Sequence, residues 1–148
     1  MNMLEAPKAV RVLLVEDSVP VRKRIRSLIE ESCPAEVVGE VGSVAAAVFL
    51  LHSNPVDAVV LDLHLWDGDG CAVLTKAKGV HPNCVVIVLT SFSEAADRTR
   101  CLNLGADYFF DKTKEFERVP EVLASLAREL ARKATLINET IDPYEYHP

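Results

Sequence analysis

The side chains of this sequence that could act chemically together all follow apolar runs. Asp62 ends one such run, and Glu16 and Asp17 end an earlier one. Thr90 and Lys112 follow two later runs. If the four runs are parallel strands of one open sheet, their last residues face a common ligand-binding crevice. The sequence therefore predicts a single site built from two acids, an aspartate, a hydroxyl and a lysine.

The three carboxylates of this predicted site point to a metal ion. Clustered carboxylates repel one another and resist burial unless a cation joins them. Glu16, Asp17 and Asp62 would form a hard pocket of oxygen ligands. Mg²⁺ suits such a pocket, because it accepts one or two carboxylates and keeps waters that a phosphate can replace. Mg²⁺ is therefore the predicted cofactor.

The same residues could support phosphoryl transfer. This reaction needs an in-line nucleophile and neutralisation of the charge on three equatorial oxygens. Asp62 would be the nucleophile, as carboxylates are in aspartyl-phosphate chemistry. The metal, the Thr90 hydroxyl and the Lys112 ammonium would neutralise the charge.

Apolar runs alternate with amphipathic segments along the chain, which predicts an α/β fold with right-handed crossovers. Continuous β-branched runs are typical of parallel strands covered on both faces. Strands are predicted over Val10–Val15, Val37–Val41, Asp57–Asp62, Val85–Leu89 and Asp107–Asp111. The first helix is predicted after an N-cap at Ser18, with Pro20 near its start. The later helices are predicted over Val44–Leu51, over Cys71–Ala77 with Gly79 closing it, over Glu94–Leu104, and from Pro120 to about Ala134.

Composition limits the classes of function. The chain has 148 residues, 49% of them hydrophobic and 26% charged, which suits one globular domain. A net charge of −6 disfavours direct binding to nucleic acid, which depends on a cationic surface. No apolar stretch approaches the roughly 20 residues that span a bilayer, and no signal peptide is recognisable, so we expect a cytoplasmic protein without membrane contact. The four cysteines lack metal-ligand spacing and are expected to be small buried or half-buried thiols.

Four motifs, in order and each following an apolar run, make the chain resemble the receiver domain of two-component response regulators. The motifs are Val15-Glu16-Asp17, Leu61-Asp62-Leu63 with Gly70 further on, Val88-Leu89-Thr90-Ser91 and Phe110-Asp111-Lys112. The resemblance covers roughly Ala9–Arg132. It implies an N-terminal lead over residues 1–8, a receiver domain over 9–132, and a C-terminal tail over 133–148 with no output domain.

The resemblance implies a flavodoxin-like, five-stranded parallel sheet of order 2-1-3-4-5 with helices on both faces. It implies that Asp62 accepts a phosphoryl group from a phosphohistidine on a histidine kinase or a histidine phosphotransfer protein. Asp17 and Asp62 would bind Mg²⁺ directly, and Glu16 would act through a water. The backbone carbonyl of His64 would be a further ligand.

The resemblance also implies a switch. Thr90 and Phe109 would move together on phosphorylation and change the surface of the fourth helix, fifth strand and fifth helix, where a target protein binds. His64 and Phe92 would tune the rates of phosphorylation and dephosphorylation, since each lies two residues past a site residue. Phe109 has no hydroxyl where many family members carry tyrosine, so the switch would rely on ring burial. Trp66 stands where proline is common.

Other functions fit the sequence less well. A phosphohydrolase of the haloacid dehalogenase type needs an acid two residues after its nucleophile, where His64 stands. A nucleotide-binding domain needs a phosphate loop after the first strand, where Glu16 and Asp17 stand. Receiver domains that bind partners without being phosphorylated have usually lost one or more site residues. This sequence keeps all of them. We therefore expect a non-enzymatic phosphoacceptor, capable at most of self-dephosphorylation. It would regulate a target protein or relay the phosphate onward, and homodimer formation stays open.

Overall fold

Parallel strands and helices alternate along the chain in the computed structural model, which describes residues 9–91 and 94–140. The strands are β1 Val10–Val15, β2 Ala35–Val41, β3 Ala58–Leu61, β4 His64–Leu65, β5 Gly68–Asp69, β6 Val85–Thr90 and β7 Tyr108–Asp111. The helices are α1 Val19–Ser32, α2 Val44–Ser53, α3 Gly70–Val80, α4 Ala95–Asn103 and α5 Arg118–Thr140. No helix in the described part of the chain is long and apolar enough to cross a membrane.

The five longer strands form one parallel sheet in the order β2-β1-β3-β6-β7. The two-residue strands β4 and β5 form a separate antiparallel ribbon. With the ribbon set aside, the order is the predicted 2-1-3-4-5, so the flavodoxin-like fold is confirmed. The strands β1, β3, β6 and β7 are consecutive neighbours, and their carboxyl ends therefore form one continuous edge.

The core lies on both faces of the sheet. Along β1, Val12 and Leu14 point to the face covered by α1 and α5, whereas Leu13 and Val15 point to the face covered by α2, α3 and α4. All four side chains are at most 1% exposed. Burial on both faces explains why the strands are continuous apolar runs rather than alternating ones.

Capping residues mark both ends of α2 and the end of α4. Ser43 Oγ accepts a hydrogen bond from the backbone N–H of Ala46 at 3.1 Å, which begins α2. Asn54, before Pro55, caps the other end of that helix. Gly105 has a φ of 103° and follows α4, which ends at Asn103, one residue before the predicted end at Leu104.

Two predicted helix ends are wrong. The predicted stop at Gly79 does not occur, because Gly79 is helical and α3 continues to Val80. The helix α5 begins at Arg118 and runs to Thr140 rather than ending near Ala134. Residues 135–140, which extend the helix beyond the predicted end, contain no proline or glycine, and Thr135 Oγ1 donates to Ala131 O at 3.0 Å.

The strand β2 is longer than predicted and starts at Ala35 rather than Val37. The register of β2 against β1 shifts just before Gly39. Val12 pairs with Val37, whereas Leu13 pairs with Gly39, so one residue of β2 is skipped. A Cβ at Gly39 would lie 2.8 Å from Leu50 Cδ1, which explains the tight packing at this irregularity.

Candidate functional site

Four strand ends bring the predicted site residues into contact. Lys112, after β7, places its Nζ 2.8 Å from Glu16 Oε2 and 2.9 Å from Asp62 Oδ2. Thr90, the last residue of β6, donates a hydrogen bond from Oγ1 to Asp62 Oδ1 at 3.2 Å. Asp62 is therefore the centre of the cluster, as the sequence predicted from its position after β3.

The acids form a group that a divalent cation would fit. One carboxylate oxygen each from Glu16, Asp17 and Asp62 lies within 4.8 Å of the others. Glu16 is 3% exposed and Asp62 is 7% exposed, whereas Asp17 lies at the surface. Oxygen ligands with one open side match Mg²⁺, which binds through few carboxylates and retains waters.

The ion pairs decide the charge state of this cluster. Burial alone would raise the pKa of Asp62, but the ammonium of Lys112, with hydrogen bonds from Glu16 and the His64 N–H, outweighs it and holds that pKa below its usual value. Burial raises the pKa of Glu16, and neighbouring Asp62 adds to the rise against the opposing effect of Lys112. Burial would lower the pKa of Lys112, but the two carboxylates keep it raised. Asp62 is therefore ionised at neutral pH and can act as a nucleophile.

The chain after Asp62 turns back on itself and shapes the site. The backbone N–H of His64 donates to Asp62 Oδ1 at 3.2 Å. Gly70 donates from its N–H to Leu63 O at 2.8 Å and closes the turn. A Cβ at Gly70 would overlap the carbonyl oxygen of Asp62 and lie 2.8 Å from Leu63 Cα. Only glycine therefore allows this close approach of backbone to backbone.

A second anchor holds the β4–β5 ribbon. Asp67 accepts hydrogen bonds from the N–H groups of Val44 and Ala45 at 2.8 and 3.2 Å, at the start of α2. Trp66, beside it, is 78% exposed. The turn after Asp62 is thus tied to a helix, although it lacks the proline common in the family. Sequence reasoning had no signal for this partner, because Asp67 and α2 meet only in the folded chain.

Arg22 supports the acidic pocket from behind and was not predicted to do so. Its Nη1 donates to the carbonyl oxygen of Glu16 at 2.9 Å, and its Nε donates to Glu40 Oε1 at 3.2 Å. The arginine therefore joins α1, β2 and the turn that presents Glu16. In the sequence it is one of several basic residues of α1, and nothing distinguishes it from Lys23 or Arg24.

The predicted switch residue Phe109 lies in β7, away from the acids. Phe109 is 4% exposed. Arg98 of α4 donates from Nη1 to the Phe109 carbonyl oxygen at 3.2 Å, and its guanidinium carbon lies 5.9 Å from the ring centre. No pattern in the sequence indicates this contact. His64 is exposed beside Asp62, whereas Phe92 lies outside the described residues.

Comparison with known proteins agrees with this arrangement. The family described as "Response regulator receiver domain" matches residues 12–124. The response regulator protein VraR from Staphylococcus aureus (strain Mu3) is 32% identical over 119 residues, which are 80% of this chain and 57% of that protein. The chain thus spans little more than half the length of this curated relative.

Solved structures of receivers share the fold. The REC domain of AraT, a response regulator from Geobacillus stearothermophilus, has a TM-score of 0.71 and 28% identity, over 84% of this chain and 98% of that one. A chain of the CheX–CheY–BeF₃–Mg²⁺ complex from Borrelia burgdorferi has a TM-score of 0.66 and 25% identity, over 76% of this chain and 88% of that one.

Proposed function

We infer the function from the fact that this chain belongs to the response regulator receiver domain family. It is proposed to accept a phosphoryl group on Asp62 from the phosphohistidine of a histidine kinase or a histidine phosphotransfer protein. The observation that carries the proposal is the convergence of Lys112 and Thr90 on the two oxygens of Asp62, beside two further acids.

The proposed chemistry is a displacement at phosphorus. An ionised oxygen of Asp62 attacks the phosphorus of the phosphohistidine, and the nitrogen–phosphorus bond breaks as the imidazole leaves with its electron pair. Lys112 and Thr90, which now contact Asp62, would turn to the oxygens of the transferred group. A positioned ammonium and hydroxyl stabilise the charge that develops there, because they need little reorganisation.

Mg²⁺ is the proposed cofactor, and when bound it would neutralise charge on the phosphoryl oxygens. Asp17 and Asp62 would hold it directly, Glu16 through a water, and His64 through its backbone carbonyl. The spacing of the three carboxylates and the exposure of Asp17 support this assignment. The Borrelia burgdorferi complex, whose name includes both BeF₃ and Mg²⁺, supports it by analogy.

Phosphorylation would reach the rest of the protein through Thr90 and Phe109. When Thr90 turns to the phosphoryl group it leaves its present hydrogen bond with Asp62, and the space around the Phe109 ring changes. Arg98, which holds the Phe109 carbonyl, would transmit the shift to α4. The proposed output is a changed surface of α4, β7 and α5 that binds a target protein. His64, exposed beside Asp62, and Phe92 would tune the rates.

A phosphorelay intermediate would use the same chemistry and pass the group to a second histidine. The two functions differ in the fate of the phosphoryl group rather than in the site. A homodimer would have two exposed apolar residues of α5 available, Leu136 at 46% and Ile137 at 58% exposure.

The proposal is tested by the intact mass of the protein after incubation with Mg²⁺ and acetyl phosphate. We expect one added phosphoryl group, dependent on Mg²⁺ and absent from the control Asp62→Asn. If the adduct hydrolyses too fast to detect, beryllofluoride should still change the fluorescence of Trp66, the single tryptophan. Labelling of Asp62→Asn, or no response to either reagent, would refute the assignment.

A further inference from the structure

Two cysteine thiols from different helices meet beneath the outer layer of the fold. Cys71 lies in the first turn of α3 and Cys101 lies in α4, and their Sγ atoms are 3.9 Å apart. Cys71 is 8% exposed and Cys101 is fully buried. We propose that Cys71 and Cys101 form a modification site for small disulfide oxidants, at which a reversible disulfide ties α4 to α3.

The pair differs from the other two cysteines. Cys33 donates from Sγ to Ile29 O at 3.1 Å, and Cys84 donates from Sγ to Ala77 O at 3.8 Å, so each contacts backbone. Only Cys71 and Cys101, among the described residues, place sulfur beside sulfur. A disulfide is about 2.05 Å long, so the two sulfurs must approach by roughly 1.9 Å.

The attachment of α4 makes this approach feasible. Cys101 is the one buried residue of the helix, and the N-cap Glu94 makes no side-chain hydrogen bond. Two arginines also tie the helix to its neighbours: Arg98 reaches the carbonyl of Phe109, and Arg100 pairs with Asp69 at 3.0 Å. A helix held by so few buried groups can shift at low cost.

Access to the pair is through Cys71. This residue lines an open depression on the outer face of α3, together with Asp69 and Thr75. The Cys71 thiolate would attack the oxidant, forming a mixed disulfide and releasing one thiolate. The Cys101 thiolate would then attack Cys71 Sγ and release the second. Two cysteines are oxidised, one small disulfide is reduced to two thiols, and the two protons lost by the cysteines go to the two released thiolates.

The surroundings keep this reaction slow. Burial, with Cys101 and Asp69 nearby, raises the pKa of Cys71 to about 12. Burial also raises the pKa of Cys101, against the opposing effects of Cys71 and Arg100, with Asp69 and Asp97 adding to the rise. Because the thiolate is the nucleophile, the pair closes slowly near neutral pH and faster as pH rises.

Closure would add a covalent tie to a helix that belongs to the proposed switching surface. Its formation does not depend on Asp62 or on phosphorylation, so it can be tested separately from the proposed function. Cytosolic disulfides, where they occur, are usually transient and redox-sensing, which suits a pair that opens again in the presence of a thiol.

The test treats the full chain with 2-hydroxyethyl disulfide at pH 8, alkylates the remaining thiols and measures the intact mass. We expect a product that has lost two hydrogens, with two of the four cysteines blocked from alkylation. Adding dithiothreitol should restore both thiols. The matched control is the double variant Cys33→Ser, Cys84→Ser, which keeps the pair and should form the disulfide as the wild type does. The single variants Cys71→Ala and Cys101→Ala should not form it.

Hydrogen exchange provides the second measurement, because amide protection in α4 should increase in the oxidised form only. A mixed disulfide that persists on Cys71, a cross-link that involves Cys33, or loss of two hydrogens in Cys71→Ala would overturn the proposal. So would closure without any change of exchange in α4. Thermal unfolding of each variant before oxidation establishes that the comparison is between folded proteins.

Discussion

Lys112 and Asp62 are 50 residues apart in the sequence, yet Lys112 Nζ lies 2.9 Å from Asp62 Oδ2. The same ammonium lies 2.8 Å from Glu16 Oε2. One lysine from the edge strand thus compensates two buried carboxylates from the centre of the sheet. The consequence is that the charge balance of the site and its connection to β7 rest on a single side chain.

Replacing Lys112 by alanine should destabilise the protein when no metal is bound. Removing one partner of a buried ion pair leaves uncompensated charge, and we expect the free energy of unfolding to fall by about 3 kcal/mol. Mg²⁺ should restore part of the loss, because it would neutralise the same carboxylates. Urea unfolding with EDTA and then with Mg²⁺ measures both effects. The control is Lys114→Ala, which replaces an exposed lysine and should change neither the stability nor its response to Mg²⁺. An equal loss of stability in Lys112→Ala with and without Mg²⁺ would contradict the prediction.

The same variant should separate phosphorylation from its response. Lys112→Ala keeps Asp62 and the acidic pair, so labelling by acetyl phosphate should remain possible. The link from the phosphoryl group to β7 would be missing, so α4 and α5 should not respond. Hydrogen exchange of both helices, with and without beryllofluoride, measures the response. If beryllofluoride changes the exchange of α4 and α5 in Lys112→Ala as much as it does in Lys114→Ala, another residue carries the signal.

The strand positions and the four strand-end motifs could be predicted because their signals are local. A β-branched run such as Val85–Thr90 has few alternatives to a buried strand. Arg22 and Arg98 could not be predicted in the same way. Their guanidinium groups reach backbone carbonyls of other elements, and such partners depend on how the helices pack.

The errors at helix ends have a physical explanation as well. A glycine ends a helix when it takes a left-handed conformation, as Gly105 does at φ 103°. Gly79 keeps a helical conformation, so its presence alone is a weak stop signal. Whether a glycine ends a helix depends on the path of the chain after it. The presence of the glycine alone does not show that path.

Two glycine substitutions should have opposite effects. Gly70→Ala places a Cβ against the backbone of Asp62 and Leu63, which cannot move without distorting the site. We expect a loss of about 1–3 kcal/mol in stability and slower labelling of Asp62. Gly79→Ala meets nothing within 4 Å and should stabilise α3 by about 0.5–1 kcal/mol with unchanged labelling. Urea unfolding measures the stability of both variants, and the acetyl phosphate assay measures their labelling. Unchanged labelling in Gly70→Ala would show that Gly70 is not needed to shape the site.

The final prediction concerns pH and an ion pair of the sheet. Asp57 accepts hydrogen bonds from the N–H and the side chain of Arg11 at 2.9, 3.0 and 3.1 Å. Burial alone would raise the pKa of Asp57, but these bonds outweigh it and hold the pKa below its usual value. A lowered pKa stabilises the fold at every pH above the unfolded value of about 3.9. That contribution is lost as pH falls through the lower value of the folded state.

Asp57→Asn should therefore lower the free energy of unfolding by about 1 kcal/mol at pH 7, a modest loss since Arg11 is 44% exposed. The difference from the wild type should stay constant down to about pH 5 and then shrink as Asp57 takes up its proton. Urea unfolding of both proteins between pH 3 and 7 gives this difference directly. Glu36→Gln, which neutralises an exposed acid on β2, controls for net charge and should show little difference at pH 7. A difference for Asp57→Asn that grows towards pH 3 would mean that its carboxylate does not stabilise the fold.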